Sequence, residues 1–132
     1  VVFLSDYAHH PEEIKQSILS MRALYEDKKI TGIFQPHLFT RTRDFYKEFA
    51  ESLSLLDEVI LTEIYPAREL PIKGISSRLI YDHLRPGIEK TLCNKEEILE
   101  ILKQKDIEVL ITLGAGDIEN YVQPICEILN KQ

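Results

Sequence analysis

Hydrophobic and polar positions follow two distinct patterns along this chain. Short, nearly continuous apolar runs occur at residues 1–4, 30–34, 59–61 and 109–113, and each has the length typical of a buried strand. Between them lie longer stretches in which apolar residues recur every three or four positions, as on one face of an amphipathic helix. The pattern therefore predicts strands and helices that follow one another along the chain.

The first helix is predicted over residues 11–25. Pro11 suits its first position because proline lacks an N–H that would be unpaired there anyway. Glu12 and Glu13 favour the positive end of the helix dipole. The expected buried face consists of Ile14, Ile18, Met21 and Tyr25.

The second and third helices follow from the same spacing. The second comes after a polar turn at residues 35–43 and ends near Leu55. Its expected apolar face consists of Phe45, Phe49 and Leu53. The third is expected over residues 76–84, with His83 facing the core beside apolar neighbours.

A weak strand at residues 89–92 precedes the fourth helix, in which Asn94 and Glu97 form a capping-box pattern. A fifth helix is expected over residues 118–130, after the last strand. Apolar strands separated by helices predict a three-layer, Rossmann-like α/β domain. We expect a mostly parallel sheet of five to six strands, helices on both faces, and a single domain over residues 1–132.

Composition narrows the classes of function. The balance of 16 basic against 22 acidic residues gives a net charge of -6, which disfavours a nucleic-acid or anionic-membrane surface because both need a clustered positive field. Cys93 and Cys126 lie far apart without metal-ligand spacing, as expected of reduced thiols in a cytoplasmic protein. No apolar run approaches the ~18 residues of a membrane helix.

Polar or glycine-rich turns follow the first, second, third and fifth predicted strands. Because the carboxyl ends of parallel strands share one edge, where such sheets bind ligands, we expect these turns to form one rim. The residues it would bring together are Asp6, His9, His10, His37, Arg41, Tyr65, Arg68 and Asp117. At the opposite edge, the connections at residues 26–29 and 105–106 are expected to carry only solvated charge.

Each rim residue also has a structural alternative. Asp6 could accept hydrogen bonds from nearby backbone N–H groups instead of binding ribose hydroxyls or a cation. His9 or His10 could simply cap the first helix. Arg41 could pair with Asp44 instead of clamping a carboxylate, although its planar fork matches that group.

Two further functions remain open on the residues alone. A metal-dependent phosphoesterase could use Asp6, His9, His10 and His37 as ligands, although adjacent histidines rarely point the same way and the arginines favour an anion. A non-catalytic ligand-binding module is the other alternative. There is no local signature of a serine or cysteine nucleophile, and the glycine-rich turn at residues 114–116 is not a phosphate loop.

Four motifs occur in register along the chain. They are Asp-Tyr-Ala-His-His-Pro-Glu-Glu at 6–13, Phe-Gln-Pro-His-Leu-Phe-Thr-Arg-Thr-Arg-Asp at 34–44, Tyr-Pro-Ala-Arg-Glu at 65–69 and Leu-Gly-Ala-Gly-Asp-Ile at 113–118. Together they resemble the C-terminal domain of the Mur ligases of bacterial peptidoglycan synthesis. The second motif resembles the branch that adds L-alanine to UDP-N-acetylmuramate. The resemblance covers essentially the whole chain.

The resemblance implies a function that needs other domains. Mur ligases have three domains and use ATP and Mg2+, which the central domain mainly binds. The muramoyl carboxylate becomes an acyl phosphate, and the amine of L-alanine attacks it. This chain would then be a fragment without catalytic or metal-binding residues of its own, inactive alone. Its partners would be UDP-N-acetylmuramate, L-alanine, ATP and the other two domains.

The resemblance also implies roles for individual residues. Asp6 would contact the nucleotide at its ribose. Tyr7 and His9 would line the alanine end of the substrate, and His37 and Arg41 would receive the alanine carboxylate. The remaining substrate-binding positions implied are Arg68, which helps to select the amino acid, and Gly114, Ala115, Gly116 and Asp117, which lie beside the same pocket.

Two positions depart from the family pattern. Many members carry Asp where Ser5 stands and Arg where Leu38 stands. Because Leu38 removes one possible carboxylate contact, we expect Arg41 either to act with another donor, His37 or Arg43, or to bind the carboxylate less tightly.

Overall fold

The computed structural model describes residues 1–130, in which strands and helices occur in the predicted order. The strands are β1 (Val2–Asp6), β2 (Ile30–Phe34), β3 (Glu58–Leu61), β4 (Glu89–Leu92) and β5 (Val109–Leu113). The helices are α1 (Pro11–Leu24), α2 (Phe39–Leu53), α3 (Arg78–His83), α4 (Ile98–Lys103) and α5 (Val122–Leu129). Within this part of the chain, no helix combines the length and apolar character needed to cross a bilayer.

The five strands form one sheet in the order β1-β5-β2-β3-β4, and every pairing is parallel. One hydrophobic cluster packs α1, α2 and α3 against one face of the sheet, and a second packs α4 and α5 against the other. The predicted α/β class, with a parallel sheet between two helical layers, is therefore confirmed.

The central strand β5 shows why the apolar runs are continuous. Successive side chains of a strand point to opposite faces, so Val109, Ile111 and Leu113 pack beneath α1 to α3. Leu110 packs beneath α4 and α5 instead. All four side chains are at most 2% exposed, and burying each contributes about 1.5–3 kcal/mol relative to leaving it in water.

The second helix begins earlier than predicted, at Phe39, so Arg41 lies in its first turn and not in a loop. Its cap comes from a distant part of the chain. The Glu69 carboxylate accepts hydrogen bonds from the N–H groups of Phe39 at 2.6 Å and Thr40 at 3.2 Å. Leu38 occupies the N-cap position, and its side chain cannot accept a hydrogen bond. The local sequence therefore carries no sign of a helix start at Phe39, and the predicted later start was wrong.

Two aromatic side chains of the predicted core are more exposed than expected. Phe45 is 38% exposed. His83 is also exposed, because its Nδ1 lies 2.8 Å from the carbonyl of Leu79 in the same helix and its ring meets Tyr46 edge-on. These contacts satisfy the imidazole at the surface, so the expectation that His83 faces the core was wrong.

The last helix also starts differently. The segment Asp117–Tyr121 is a 3-10 helix, and the α-helix begins only at Val122. Pro124 accounts for this start, because proline lacks an N–H and is tolerated only in the first turn of an α-helix.

A buried carboxylate lies at the amino edge of the sheet, where only solvated charge was expected. Glu58 is 2% exposed, and its carboxylate lies 3.3 Å from Nζ of Lys29 and 2.6 Å from Nζ of Lys105. Lys29 also binds Glu89, and this hydrogen bond is the main reason why the pKa of Lys29 is raised. Pairing from two sides makes burial of the Glu58 charge tolerable.

Both cysteines are free and half-buried. Burial raises the pKa of Cys93 to about 11, with smaller contributions from Glu97 and Glu63. The Cys93 thiol therefore stays protonated near neutral pH, where a reactive cysteine would carry a thiolate.

Candidate functional site

The carboxyl edge of the sheet has a crevice where the direction of the chain diverges. β5 lies between β1 and β2, but the chain leaves β5 towards one face and leaves its two neighbours towards the other. Open α/β sheets bind ligands at such points. Main-chain hydrogen bonds hold the three strand ends together, from Gly114 N–H to the Asp6 carbonyl and from Gln35 N–H to the Leu113 carbonyl.

Tyr65 holds His37 through both main chain and ring. The two residues form a parallel bridge beyond the ends of β3 and β2. Tyr65 N–H donates to the Pro36 carbonyl at 2.8 Å, and the Tyr65 carbonyl accepts from Leu38 N–H at 2.9 Å. The two rings stack with centroids 5.7 Å apart and planes inclined by 16°. The turn after β3 therefore sets the position of His37 in the turn after β2.

The backbone of these two turns is strained. Among residues 1–130, two non-glycine residues have a positive φ: Leu38 at 74° and Ala67 at 53°. Leu38 lies next to His37 at the start of α2, and Ala67 precedes Arg68. Such conformations cost about 1–3 kcal/mol each and concentrate at functional sites.

His37 and Arg41 form a hydrogen-bonded pair. Nη1 of Arg41 lies 3.3 Å from Nδ1 of His37. Because arginine can only donate, Nδ1 accepts and the ring proton lies on Nε2. Burial, followed by the charge of Arg41, lowers the pKa of His37, so the ring is neutral near pH 7. Asp44 pairs with Arg43 at 2.9 Å, so the alternative in which Asp44 forms an ion pair with Arg41 is not observed.

His9 presents the complementary tautomer beside this pair. Its Nδ1 lies 3.0 Å from the Tyr7 carbonyl, so Nδ1 donates, and in the neutral form of the ring Nε2 would keep a lone pair. The His9 ring meets the ring of His37 edge-on, with centroids 6.2 Å apart. The capping alternative applies to His10, which is the N-cap of α1. Its N–H and that of His9 donate to Glu13, whose pKa is lowered chiefly by the His9 hydrogen bond.

Asp6 stabilises its own turn. Oδ1 accepts from Ala8 N–H at 2.9 Å, and Oδ2 accepts from the Ser17 hydroxyl at 2.5 Å. Asp6 thus accepts hydrogen bonds within the fold, as the structural alternative expected, but these two bonds do not use all of its lone pairs. A carboxylate has about four lone-pair sites, so each oxygen of Asp6 retains capacity for one further donor.

The turn after β5 requires glycine at two positions. Gly114 has φ 140°, and a Cβ there would lie 2.9 Å from the Gln35 carbonyl oxygen. A Cβ on Gly116 would lie 2.5 Å from Oε1 of Gln35 and 2.7 Å from Cγ of Tyr65. The backbone of this turn therefore packs directly against the turns that hold His37.

Gln35 and Lys95 anchor the same turn. Gln35 is 1% exposed, accepts from Ile118 N–H at 2.9 Å and donates to Oδ1 of Asp117 at 2.5 Å. The other oxygen of Asp117 binds Nζ of Lys95 at 2.5 Å. Burial alone would raise the pKa of Asp117, but the hydrogen bonds from Gln35 and Lys95 lower it. Both oxygens of this ionised carboxylate are thus engaged within the fold.

The predicted rim residues are only partly brought together. His9, His37 and Arg41 form one cluster, with the glycine-rich turn packed beneath it through Tyr65. Tyr7 is 57% exposed and Arg68 is also exposed. His10 turns instead towards Phe45, with ring centroids 5.9 Å apart.

No metal centre is evident at this edge. Within residues 1–130, no three His, Cys, Asp or Glu side chains are grouped so that they could hold a metal ion. The set formed by Asp6, His9, His10 and His37 therefore does not converge on one point. The structure therefore does not support the metal site that the phosphoesterase hypothesis requires.

The roles of three residues that build the site were missed from the sequence. Gln35 has one available signal, a polar residue directly after a fully apolar strand. Glu69 and Lys95 act on residues 30 and 22 positions away along the chain. No local periodicity encodes contacts at such separations.

Comparisons with known proteins agree with the resemblance of the motifs. A family model described as "Mur ligase, glutamate ligase domain" matches residues 1–117. Over 132 residues the chain is 79% identical to the UDP-N-acetylmuramate--L-alanine ligase of Phocaeicola vulgatus and 58% identical to the protein of that name from Parabacteroides distasonis. All of this chain is covered, but only 29% and 28% of those two proteins. The chain thus spans less than a third of these relatives.

Solved structures share the fold. The crystal structure of UDP-N-acetylmuramate-alanine ligase MurC from Thermotoga maritima matches with a TM-score of 0.75 and 28% identity, covering 98% of this chain and 27% of that one. A murein peptide ligase from Psychrobacter arcticus matches with a TM-score of 0.76 at 17% identity, covering 98% of this chain and 28% of that one. The second match shows the fold alone.

Proposed function

The chain belongs to the Mur ligase family, and we propose that it is the C-terminal domain of a longer, three-domain ligase that joins L-alanine to UDP-N-acetylmuramate with ATP. The observation that carries this proposal is the 79% identity, over the whole chain, to an enzyme of that name. The reaction would serve peptidoglycan biosynthesis in the cytoplasm. The muramoyl carboxylate attacks the γ-phosphorus of ATP, which forms an acyl phosphate and releases ADP. The alanine amine then displaces phosphate and forms the amide.

The His37–Arg41 pair supports a role in holding the amino acid. Alanine carries a carboxylate that must be bound and an amine that must stay free to react. The guanidinium of Arg41 and Nε2–H of His37 are donors suited to a carboxylate, and charge-assisted bonds of this kind contribute about 1.5–3 kcal/mol. Leu38 supplies no second positive charge, so these two donors act together.

His9 is suited to orient the other end of the amino acid. Its Nδ1 donates to the Tyr7 carbonyl, and the neutral form of this ring, which lies beside His37, would present a lone pair on Nε2. Such a lone pair can accept a hydrogen bond from an N–H of the alanine amine. The N–H groups of Arg41 and His37 would instead repel the N–H groups of that amine. Tyr7 and Arg68 would line the margin of the pocket, and Gly114, Ala115, Gly116 and Asp117 would form its wall.

Asp6 is proposed to contact the ribose of ATP. Its remaining lone pairs can accept from ribose hydroxyls without loss of the bonds to Ala8 and Ser17. Since residues 1–130 offer no grouped metal ligands, we assign Mg2+ and the triphosphate to the central domain. In the longer protein, Asp6→Asn keeps an acceptor for Ala8 N–H and should raise the KM for ATP severalfold, with the KM for alanine unchanged.

The function is tested with the longer protein that carries this domain. Incubation with UDP-N-acetylmuramate, ATP, Mg2+ and L-alanine should give the alanyl product and phosphate, measured by mass spectrometry, and omission of any substrate should abolish the product. Residues 1–132 alone should give none. Absence of product with all substrates present would reject the proposal, and a preference for glycine or serine would reject the assigned amino acid.

A further inference from the structure

A charged side chain from the far edge of the sheet reaches the turn beside the proposed pocket. Lys95 follows the edge strand β4, whereas Asp117 follows β5, with β2 and β3 between them. Nζ of Lys95 and Oδ2 of Asp117 are 2.5 Å apart, and the two side chains are 27% and 26% exposed. The ion pair therefore bridges two intervening strand ends.

The same two residues bind the intervening turns. The N–H of Lys95 donates to Oε1 of Glu63, after β3, at 3.3 Å. Oδ1 of Asp117 accepts from Nε2 of Gln35, after β2. The pKa of Lys95 is raised, chiefly by its hydrogen bond to Asp117, so the pair is charged on both sides. One connected set of polar contacts thus joins the turns after β2, β3, β4 and β5.

Direct packing contacts link this set of polar contacts to the proposed carboxylate clamp, the pair His37 and Arg41. Gly116 precedes Asp117 and lies so close to Tyr65 that a Cβ would be 2.7 Å from the ring. Tyr65 in turn stacks on His37, which accepts the hydrogen bond of Arg41. Displacement of Asp117 therefore moves the surface on which Tyr65 rests, and with it the ring of His37.

We propose that Lys95 is a positioning residue for the amino-acid pocket, acting through Asp117, Gly116 and Tyr65 on His37 and Arg41. The inference rests on the function proposed above and deepens it. Within residues 1–130, Lys95 forms no hydrogen bond or ion pair with His37 or Arg41. Its effect must therefore pass through the wall of the pocket. A residue of this kind changes amino-acid binding and leaves nucleotide binding unchanged.

The test is steady-state kinetics of the longer ligase, with alanine and ATP varied in turn. Lys95→Ala should raise the KM for alanine roughly threefold to tenfold, since one half-exposed charged contact is lost. The KM for ATP and kcat at saturating alanine should stay within about twofold. Lys95→Arg keeps a donor to Asp117 and should recover most of the wild-type KM.

Coupling to Asp117 and a matched control sharpen the test. Asp117→Asn should raise the KM for alanine at least as much, because it also weakens the bond from Gln35, and adding Lys95→Ala to it should cause little further rise, because the charged contact between the two is already lost. Lys103→Ala is the control. Lys103 lies in α4 and, among the residues that the structure describes, pairs with exposed Glu100, so all constants should stay at wild-type values.

Several outcomes would overturn the inference. These are an unchanged KM for alanine in Lys95→Ala, equal changes in the KM values for alanine and ATP, or additive effects of Lys95→Ala and Asp117→Asn. If Lys95→Ala does not fold, as judged by its thermal melt, Asp117→Asn and Lys95→Arg decide the question. A wild-type ligase without activity rejects the proposed function itself, whereas an active one with a normal Lys95→Ala variant rejects only the role of Lys95.

Discussion

The ring of His37 lies stacked against the ring of Tyr65, with centroids 5.7 Å apart and planes inclined by 16°. The two residues belong to turns that follow different strands, and the stack fixes one turn relative to the other. His9 closes a second side of His37 edge-on. The Nε2–H of His37 is thus oriented before a ligand arrives, which lowers the entropy cost of binding.

Arg41→Ala should weaken alanine binding by the longer ligase. Loss of a charge-assisted contact with the carboxylate, at about 1.5–3 kcal/mol, corresponds to an increase of roughly tenfold to a hundredfold in the KM for alanine. Arg43→Ala is the matched control, because Arg43 is exposed and engaged by Asp44. Equal effects of the two substitutions on the KM for alanine would contradict the clamp assignment.

His37 should titrate below its ordinary pKa of 6.5, because burial and the charge of Arg41 disfavour the imidazolium form. Well above pH 6.5 the ring is neutral in both folded and unfolded states. Below it the unfolded state binds more protons, so the free energy of unfolding falls as the pH drops towards the folded pKa. An NMR titration of the imidazole resonances measures this pKa directly.

Two variants check the cause of that shift in the His37 pKa. Arg41→Ala removes the neighbouring charge and should raise the pKa back towards its ordinary value. His37→Gln should flatten the corresponding part of the stability profile, measured by urea unfolding between pH 5 and pH 7. A pKa of His37 at or above 6.5 in the wild-type protein would contradict the neutral ring proposed for the pocket.

Gly116→Ala should impair the site by steric overlap alone. The φ of Gly116 is -100°, which alanine adopts readily, but its Cβ would meet Gln35 and Tyr65 at 2.5 and 2.7 Å. Overpacking of this kind costs about 1–3 kcal/mol, and the KM for alanine should rise as Tyr65 moves.

Gly87→Ala is the matched control for that substitution. Gly87 has φ 83° and open space around the position of a Cβ, so the variant should lose about 1 kcal/mol of stability from backbone strain, with the KM for alanine unchanged. Thermal melts and kinetics of both variants separate the two effects. A rise in the KM for alanine in Gly87→Ala equal to that in Gly116→Ala would show that general destabilisation is responsible.

Lys105→Ala should destabilise the fold without touching the site. It removes the closer of the two cations that compensate buried Glu58. Because Lys29 remains, we expect a loss of about 1–3 kcal/mol in the free energy of unfolding, below the cost of an uncompensated charge. Urea unfolding measures it, and Lys103→Ala should be close to neutral since its pair with Glu100 is exposed. An unchanged free energy of unfolding in Lys105→Ala would show that Lys29 alone compensates the charge of Glu58.

The apolar strands were readily predicted from the sequence because burial on both faces leaves a local signature. β2 and β5 occur at the predicted residues, since every position in them is buried. The start of α2 was not predictable in this way. Its cap is Glu69, which is close to Phe39 only after β3 has paired with β2.

The candidate site shows the same division between local and distant contacts. His37 and Arg41 lie in one motif, and its resemblance to the Mur ligases implies that they act together. The Lys95–Asp117 pair depends on which strands are neighbours, and the alternation of apolar runs does not specify strand order. The local sequence does not distinguish Glu58 from a surface glutamate. The two lysines that pair with its buried carboxylate, Lys29 and Lys105, lie far from it along the chain.

The strand order has a consequence for how the site assembles. β5 is the last strand along the chain, yet it occupies the place between β1 and β2. Until residues 109–113 insert there, both neighbouring strands keep an unpaired edge, and the crevice lacks one of its walls. The proposed ligand-binding edge therefore cannot be complete before β5 has paired with both neighbours. A folding intermediate without β5 would expose apolar strand edges and be prone to aggregate.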